Sequence, residues 1–142
     1  MLPKHLNKNG QKAYQRNDNE DRSLPYRNWL RTVDTAGFFL DVDFIKWRID
    51  KDNRFTPCAI TELTRTDSEK VVSEKYLQAI IDRFFGRDKQ GEILGELGRI
   101  LGIPVYLVLF PPSISWLYVF SFRKKEWRFF EPDECVKYLK NF

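Results

Sequence analysis

The sequence is poor in the residues that build several common kinds of site. It has a single histidine, His5, and only two cysteines, Cys58 and Cys135, which lie far apart along its 142 residues. One chain therefore cannot assemble a Cys/His zinc site, and serine or cysteine triads that depend on histidine are excluded as well. Because nothing in the sequence points to an oxidising compartment, we expect both cysteines to be free, buried thiols.

Long apolar runs and phosphate-binding glycine loops are also missing. No apolar run reaches the roughly 18–20 residues that span a bilayer, and the N-terminus lacks the apolar core of a signal peptide. We therefore expect a cytoplasmic protein with no membrane partner. No glycine-rich loop has Walker or Rossmann spacing, because the glycines after Gln90 fall within a predicted helix and not between a strand and a helix.

Apolar and aromatic residues, in contrast, are abundant enough to form a core. Hydrophobic residues make up 42% of the sequence and aromatic residues 15%, in a chain of a length that normally forms one domain. The net charge of +4 is compatible with a polyanionic partner, although many ordinary domains are equally basic. We divide the chain into a flexible polar tail, residues 1–22, and a single α/β domain, residues 23–142.

Hydrophobic periodicity predicts a helix, two strands, two helices, three strands and a final helix, in that order. A hairpin followed by a helical crossover and a β-rich apolar strand implies a mixed central sheet flanked by helices on both faces. The aromatic strands near 116–120 and 127–130 have the side chains to stack bases, but core packing explains them more simply. The helices are expected at 23–33, 73–87, 90–101 and from 132 onward, and the strands near 40–49, 57–65, 104–110, 116–123 and 127–130.

Three carboxylates fall within the two strands of the predicted hairpin. Asp41 and Asp43 lie on the first strand, and Glu62 lies on the second. Carboxylates in apolar strands are costly to bury unless they are paired, protonated or bound to a metal, and this cost points to a site. Two simpler interpretations remain open: Asp41 is an exposed residue at the strand end, or Asp43 and Glu62 are structural acids bonded to arginine or backbone donors nearby, such as Arg48 and Arg65.

Four glycines recur at intervals of four, three and four in the helix predicted at 90–101, so they form one stripe. Glycine inside a helix costs about 1 kcal/mol relative to alanine, which leads us to expect that another surface approaches this stripe closely. Internal packing is the simplest explanation, and an interface with a partner is the alternative. The stripe consists of Gly91, Gly95, Gly98 and Gly102.

The element order and the hairpin acids resemble the PD-(D/E)XK superfamily, the fold of many restriction and repair endonucleases. The resemblance covers about residues 23–110, with LDVDFIKWR and AITELTR as its two acid-bearing segments. It implies a restriction-endonuclease-like fold, in which an Asp on one hairpin strand and an acid-x-Lys element on the next form the site. Asp43, or Asp41, takes the place of the first acid, and Glu62-Leu63-Thr64 takes the place of the acid-x-Lys element.

By this resemblance, the protein is expected to be a nuclease that uses Mg²⁺ or Mn²⁺ to hydrolyse phosphodiester bonds in nucleic acid. The implied metal ligands are all oxygen donors, as hard divalent cations prefer. They are Asp41, Asp43, Glu62 and the carbonyl of Leu63. The implied partner is nucleic acid, with DNA as the first expectation, and a homodimer is a further one because many such nucleases act as dimers.

Thr64 is a departure from the family pattern, because a lysine stands at this position in the family. That lysine is thought to help activate water and to stabilise negative charge on phosphate, whereas a threonine hydroxyl brings no cation. Either another side chain fills this catalytic role beside Asp43 and Glu62, with Lys75 and Gln78 on the next helix as candidates, or the site is degenerate. In the second case, the chain is a catalytically inactive nuclease-fold module that binds nucleic acid or a protein partner.

Overall fold

The structure, a computed structural model, describes residues 23–34, 36–37 and 39–141, so the predicted tail at 1–22 lies outside the described residues. The chain divides into two compact units, residues 1–39 and 40–142, which are described separately. The first unit contains α1 (Leu24–Leu30), with a proline in its first turn. Tyr26 and Trp29 are both more than half exposed on this helix, and their ring centroids lie 5.6 Å apart.

The second unit is an α/β domain whose described residues form a five-stranded mixed sheet. The strand order follows the chain, β1-β2-β3-β4-β5, with β2 parallel to β3 and antiparallel pairing elsewhere in the sheet. This arrangement confirms the predicted α/β class and mixed sheet. The strands are β1 (Phe44–Ile49), β2 (Phe55–Arg65), β3 (Val105–Phe110), β4 (Leu117–Ser121) and β5 (Glu126–Phe130).

Two helical segments connect β2 to β3. The first is α2 (Glu74–Ile81). Its N-cap is Ser73, whose hydroxyl accepts a hydrogen bond from the backbone N–H of Tyr76 at 3.2 Å. It continues as a π-helix, Asp82–Arg87, where the sequence predicts an uninterrupted α-helix. Lys89, with a φ of 58°, separates the π-helix from α3 (Gln90–Leu101), which has the predicted bounds.

The last helix, α4 (Pro132–Lys140), begins at Glu131, which forms a reciprocal capping box with Glu134. Its Cys135 is 2% exposed, whereas Cys58 on β2 is only half-buried, so the prediction of two buried thiols is correct for one of them. Both cysteines are free, as expected. In the part of the chain that the structure describes, the helices are too short or too polar to cross a membrane.

Alternate residues of β3 contribute to two separate cores. Leu107 and Leu109 pack in the larger core with residues of α2, the π-helix and α3, such as Leu77 and Leu94. Val108 packs in the smaller core with β4, β5 and Cys135 of α4. Helices therefore cover both faces of the sheet, which explains why β3 is a continuous apolar run.

A tight turn and a bulge shape the β1–β2 hairpin. In the turn, the carboxylate of Asp50 accepts hydrogen bonds from the N–H groups of Asp52 and Arg54, both at 2.9 Å. Further along, Lys46 pairs with Ala59 while Trp47 pairs with Pro57, so one residue of β2, Cys58, is left as an extra residue between the two pairs. This β-bulge locally changes the twist of the hairpin.

The glycine stripe of α3 is explained in large part by close packing within the domain. A Cβ atom on Gly91 would lie 2.5 Å from the Phe85 ring, and one on Gly98 would lie 2.4 Å from Cγ2 of Val105 and 3.0 Å from the carbonyl oxygen of Ile103. Gly102 ends the helix in the left-handed conformation, with a φ of 67°.

Replacing Gly98 by alanine should destabilise the domain, because the new methyl group would meet the rigid backbone of Ile103 and the core strand β3. We expect Gly98→Ala to lower the free energy of unfolding by about 1–3 kcal/mol in urea denaturation. Gly95→Ala is the matched control, since its Cβ would lie 3.8 Å from Phe122 in ordinary contact. This control should gain up to about 1 kcal/mol from helix propensity, and equal losses in both variants would contradict the packing argument.

Candidate functional site

The backbone ladder between β1 and β2 stops one residue short of two carboxylates. Phe44 pairs with Thr61, so Asp43 and Glu62 are the next residues to face each other. The N–H of Asp43 donates to Oε2 of Glu62 at 3.3 Å, and the N–H of Leu63 donates to Oδ2 of Asp43 at 2.9 Å. Carboxylate oxygens thus accept two backbone N–H groups at the point where the β1–β2 ladder stops.

The prediction that Asp41 and Asp43 lie within the first strand is therefore wrong, because both precede β1 in an extended segment. Asp41 is exposed and lies two residues before Asp43. Asp43 is also exposed, but its carboxylate is fixed against the backbone of β2. The first acid of the candidate site is thus held by side-chain hydrogen bonding rather than by strand pairing.

Glu62 points toward the face of the sheet that α2 and α3 cover, and only 7% of it is exposed. Its β3 partner, Leu107, belongs to the larger core, as does Ile60 two residues earlier on β2. The side-chain amide of Gln90, the first residue of α3, donates a hydrogen bond to Oε1 of Glu62. Glu62 is consequently held between the entry to β1 and the start of α3.

The electrostatics of this pair are those of two adjacent acids in a partly buried place. Burial, and after it the charge of the Asp43 carboxylate, raise the pKa of Glu62 to about 7. The hydrogen bonds from the Asp43 N–H and from the Gln90 amide favour the ionised form and oppose this shift. Because two adjacent acids repel each other in a partly buried place, a cation between them would lower the cost of ionising both.

The oxygen donors just before β1 begins, on Asp43, Glu62 and Leu63, are of the type that a magnesium ion prefers. The N–H and C=O of one strand residue point to the same side, so the Leu63 carbonyl lies on the side where its N–H meets Asp43. Mg²⁺ commonly takes one or two carboxylates plus waters, which Asp43, Glu62 and this carbonyl satisfy. Within residues 23–34, 36–37 and 39–141, no cluster of three or more His, Cys, Asp or Glu side chains could hold a metal, so an all-protein cage does not fit.

The candidates for replacing the family lysine lie in different surroundings. Thr64 is half-buried on β2, on the same face as Glu62. Lys75 and Gln78 are exposed on α2, and the Gln78 amide donates to Asp82 at 2.9 Å along its own helix. The amide that contacts Glu62 is that of Gln90.

Gln90 is the residue that the sequence analysis overlooks. The one signal for it is an amide-bearing side chain at the first position of a helix that follows the acid-bearing strand. Among the contacts of the described residues, the hydrogen bonds of Asp43 and Glu62 come from backbone and amide N–H groups, and not from Arg48 or Arg65. The interpretation of the pair as structural acids is thus supported for backbone donors and not supported for arginine donors.

The raised pKa of Glu62 makes the stability of the fold depend on pH. The ordinary value of 4.5 applies to the unfolded chain and about 7 applies to the folded one, so the folded chain binds the proton more tightly. This contribution is fully present below pH 4.5 and is lost as the pH rises through 7, by on the order of 1–3 kcal/mol.

Glu62→Gln, which resembles the protonated acid, should therefore flatten the fall in unfolding free energy between pH 4.5 and about 7. Urea denaturation at several pH values measures this, with the exposed Glu126→Gln as control. A Glu62→Gln profile as steep as that of the unsubstituted chain would show that another group causes the pH dependence.

Comparison with known proteins yields no relative: no family model, no curated protein and no solved structure matches this chain. The resemblance to the PD-(D/E)XK superfamily accordingly stays a prediction. It rests on the hairpin acids and on the order of the elements. Any function for this chain has to be argued from the geometry of its own residues.

Proposed function

We propose that this protein is a divalent-metal-dependent nuclease that hydrolyses phosphodiester bonds in nucleic acid, on a restriction-endonuclease-like fold. The observation that carries the proposal is the pairing of Asp43 with the buried Glu62 just before β1 begins. These are the two acids that the superfamily resemblance selects. The order of hairpin, helical crossover and parallel strand is also the order that the resemblance implies.

Asp43, Glu62 and the carbonyl of Leu63 would hold Mg²⁺ or Mn²⁺. Such an ion, when bound, acidifies a water molecule and neutralises charge on a phosphodiester. The chain's own residues prepare the donors: the Leu63 N–H orients Asp43, and the Gln90 amide orients Glu62. Glu62 has to release its proton when the ion binds, so the apparent metal affinity should fall as the pH drops below about 7.

Gln90 takes over part of the place of the missing lysine in this scheme. Its amide donates to the buried acid, as an ammonium group could, but it carries no charge. It can therefore position Glu62 without compensating negative charge on the phosphate. Thr64, two residues along the same face of β2, adds a hydroxyl that can bind water or substrate but is also uncharged.

The missing cation is also the observation that favours a second candidate function. A nuclease fold that has lost the charge at position 64 would retain its shape and its affinity for nucleic acid without cleaving it. This catalytically inactive binding module differs from the nuclease in one measurable property, which is metal-dependent hydrolysis.

Replacing either acid should abolish cleavage. With Mg²⁺ or Mn²⁺ and plasmid, single-stranded DNA or RNA as substrate, Asp43→Asn and Glu62→Gln should each lower the cleavage rate at least about a hundredfold. The exposed Glu126→Gln serves as the control and should cleave normally. Activity that survives both site variants would place the reaction elsewhere, and an unsubstituted chain that binds without cleaving would favour the binding module.

Restoring the family lysine offers a test in the opposite direction. Thr64→Lys places an ammonium on the face of β2 that carries Glu62, and we expect the cleavage rate to rise about tenfold or more. Thr64→Met adds a chain of similar shape without the charge and should give no increase. An equal effect of both substitutions would mean that charge at this position does not limit the reaction.

A further inference from the structure

The outer half of the β1–β2 hairpin extends beyond the rest of the sheet. β3 pairs with residues 60–65 of β2, so the earlier part of β2 is paired with β1 alone. Every residue from 47 to 56 is exposed. This two-stranded segment, residues 46–57, is referred to below as the ribbon.

One face of the ribbon is aromatic. Ile45 packs against the larger core, whereas the ammonium of Lys46 reaches the carbonyl oxygen of Leu139 at the end of α4, so successive residues of β1 face opposite sides. Trp47 therefore lies on the same side as Ile45. Phe55, opposite Ile49, shares that side.

The exposure of these aromatic rings is not explained by the core. Trp47 is 51% exposed and Phe55 is 59% exposed, whereas Trp116 and Phe120 of the later aromatic segment are 4% and 6% exposed. Grouped apolar side chains on a surface mark a place where something binds. The ribbon thus exposes more aromatic surface than the segment around Trp116 and Phe120, while on β5 Phe129 is 41% exposed.

The charges of the ribbon select the kind of partner. Residues 46–57 contain four basic and two acidic side chains, and one of those acids, Asp50, is used by the turn. A second copy pairing along the edge strand β1 would bring together two copies of a strand whose charged residues, Lys46 and Arg48, are both basic, which is unfavourable. A polyanion would instead neutralise Arg48, Lys51 and Arg54.

We propose that the ribbon binds a single-stranded segment of nucleic acid. Its bases stack on Trp47 and Phe55, and its phosphates lie near Lys51 and Arg54. The two aromatic residues are diagonal neighbours across the hairpin. The Cα atoms of such neighbours lie about 7–8 Å apart, which allows each ring to stack on a separate base. Stacking on aromatic rings tolerates any base and requires one that is not paired in a duplex.

This inference goes beyond the proposed hydrolysis, because binding on the ribbon needs neither the carboxylates nor a metal. It also relates to that reaction through geometry. Asp43 directly precedes β1 and Trp47 lies within it, so the ribbon and the paired acids belong to the same hairpin.

The test is fluorescence anisotropy of a labelled oligothymidine of about 20 nucleotides, with the full chain in EDTA. Trp47→Ala/Phe55→Ala should weaken binding at least about tenfold, and Phe129→Ala, an aromatic on β5 that is 41% exposed, should not. Lys51→Ala/Arg54→Ala should weaken binding and reduce its salt dependence. Lys124→Ala/Lys125→Ala, at the exposed β4–β5 turn, removes the same charge elsewhere and should have a smaller effect.

A second measurement uses a conservative variant that keeps the ribbon intact. Oligothymidine should quench the tryptophan fluorescence of the chain, and Trp47→Phe should lose this quenching while it still binds. The proposal would be overturned if Trp47→Ala/Phe55→Ala bound oligothymidine as tightly as the unsubstituted chain. It would also be overturned if the same variant lost as much affinity for duplex DNA as for oligothymidine, or if sedimentation showed a dimer that depends on the ribbon. An unsubstituted chain that binds oligothymidine through the ribbon but never cleaves would refute the nuclease proposal and leave this one standing.

Discussion

The contact between Asp43 and Glu62 across the end of the hairpin is the constraint on which the candidate site depends. Each residue contributes a carboxylate oxygen that accepts a backbone N–H from the opposite strand. These two hydrogen bonds lie directly before the start of β1 and fix both acids relative to the sheet. The other oxygen of Glu62 accepts a hydrogen bond from Gln90 of α3. A regular ladder at this point would have paired backbone with backbone and left the Asp43 carboxylate without this backbone donor.

The surrounding sheet makes this arrangement rigid enough to function. Glu62 is bordered on β3 by Leu107, which is almost fully buried, and helices cover both faces of the strands next to it. A buried acid is unfavourable by itself, and here backbone and amide donors offset part of its desolvation. Glu62, which is held on a strand in a packed core, keeps its geometry better than a group on a loop would.

The sequence predicts the elements better than it predicts the contacts between them. The mixed sheet and the bounds of α3 follow from local periodicity, and the acid pair follows from the cost of burying carboxylates. The π-helix could not be foreseen, because an α-helical period fits the same apolar residues. Gln90 could not be assigned either: it is 28 residues from Glu62, and only the path of α2 and the π-helix brings the two together.

The left-handed residue between the π-helix and α3 has a consequence for the length of this connection. Lys89 turns the chain so that Gly91 fits under Phe85 and Gln90 points at the buried acid. A residue inserted between Lys89 and Gln90 would separate Gln90 from the turn that directs its amide toward Glu62. The length of this connection therefore determines whether the Gln90 amide reaches Glu62, as much as the identity of the side chain at position 90 does.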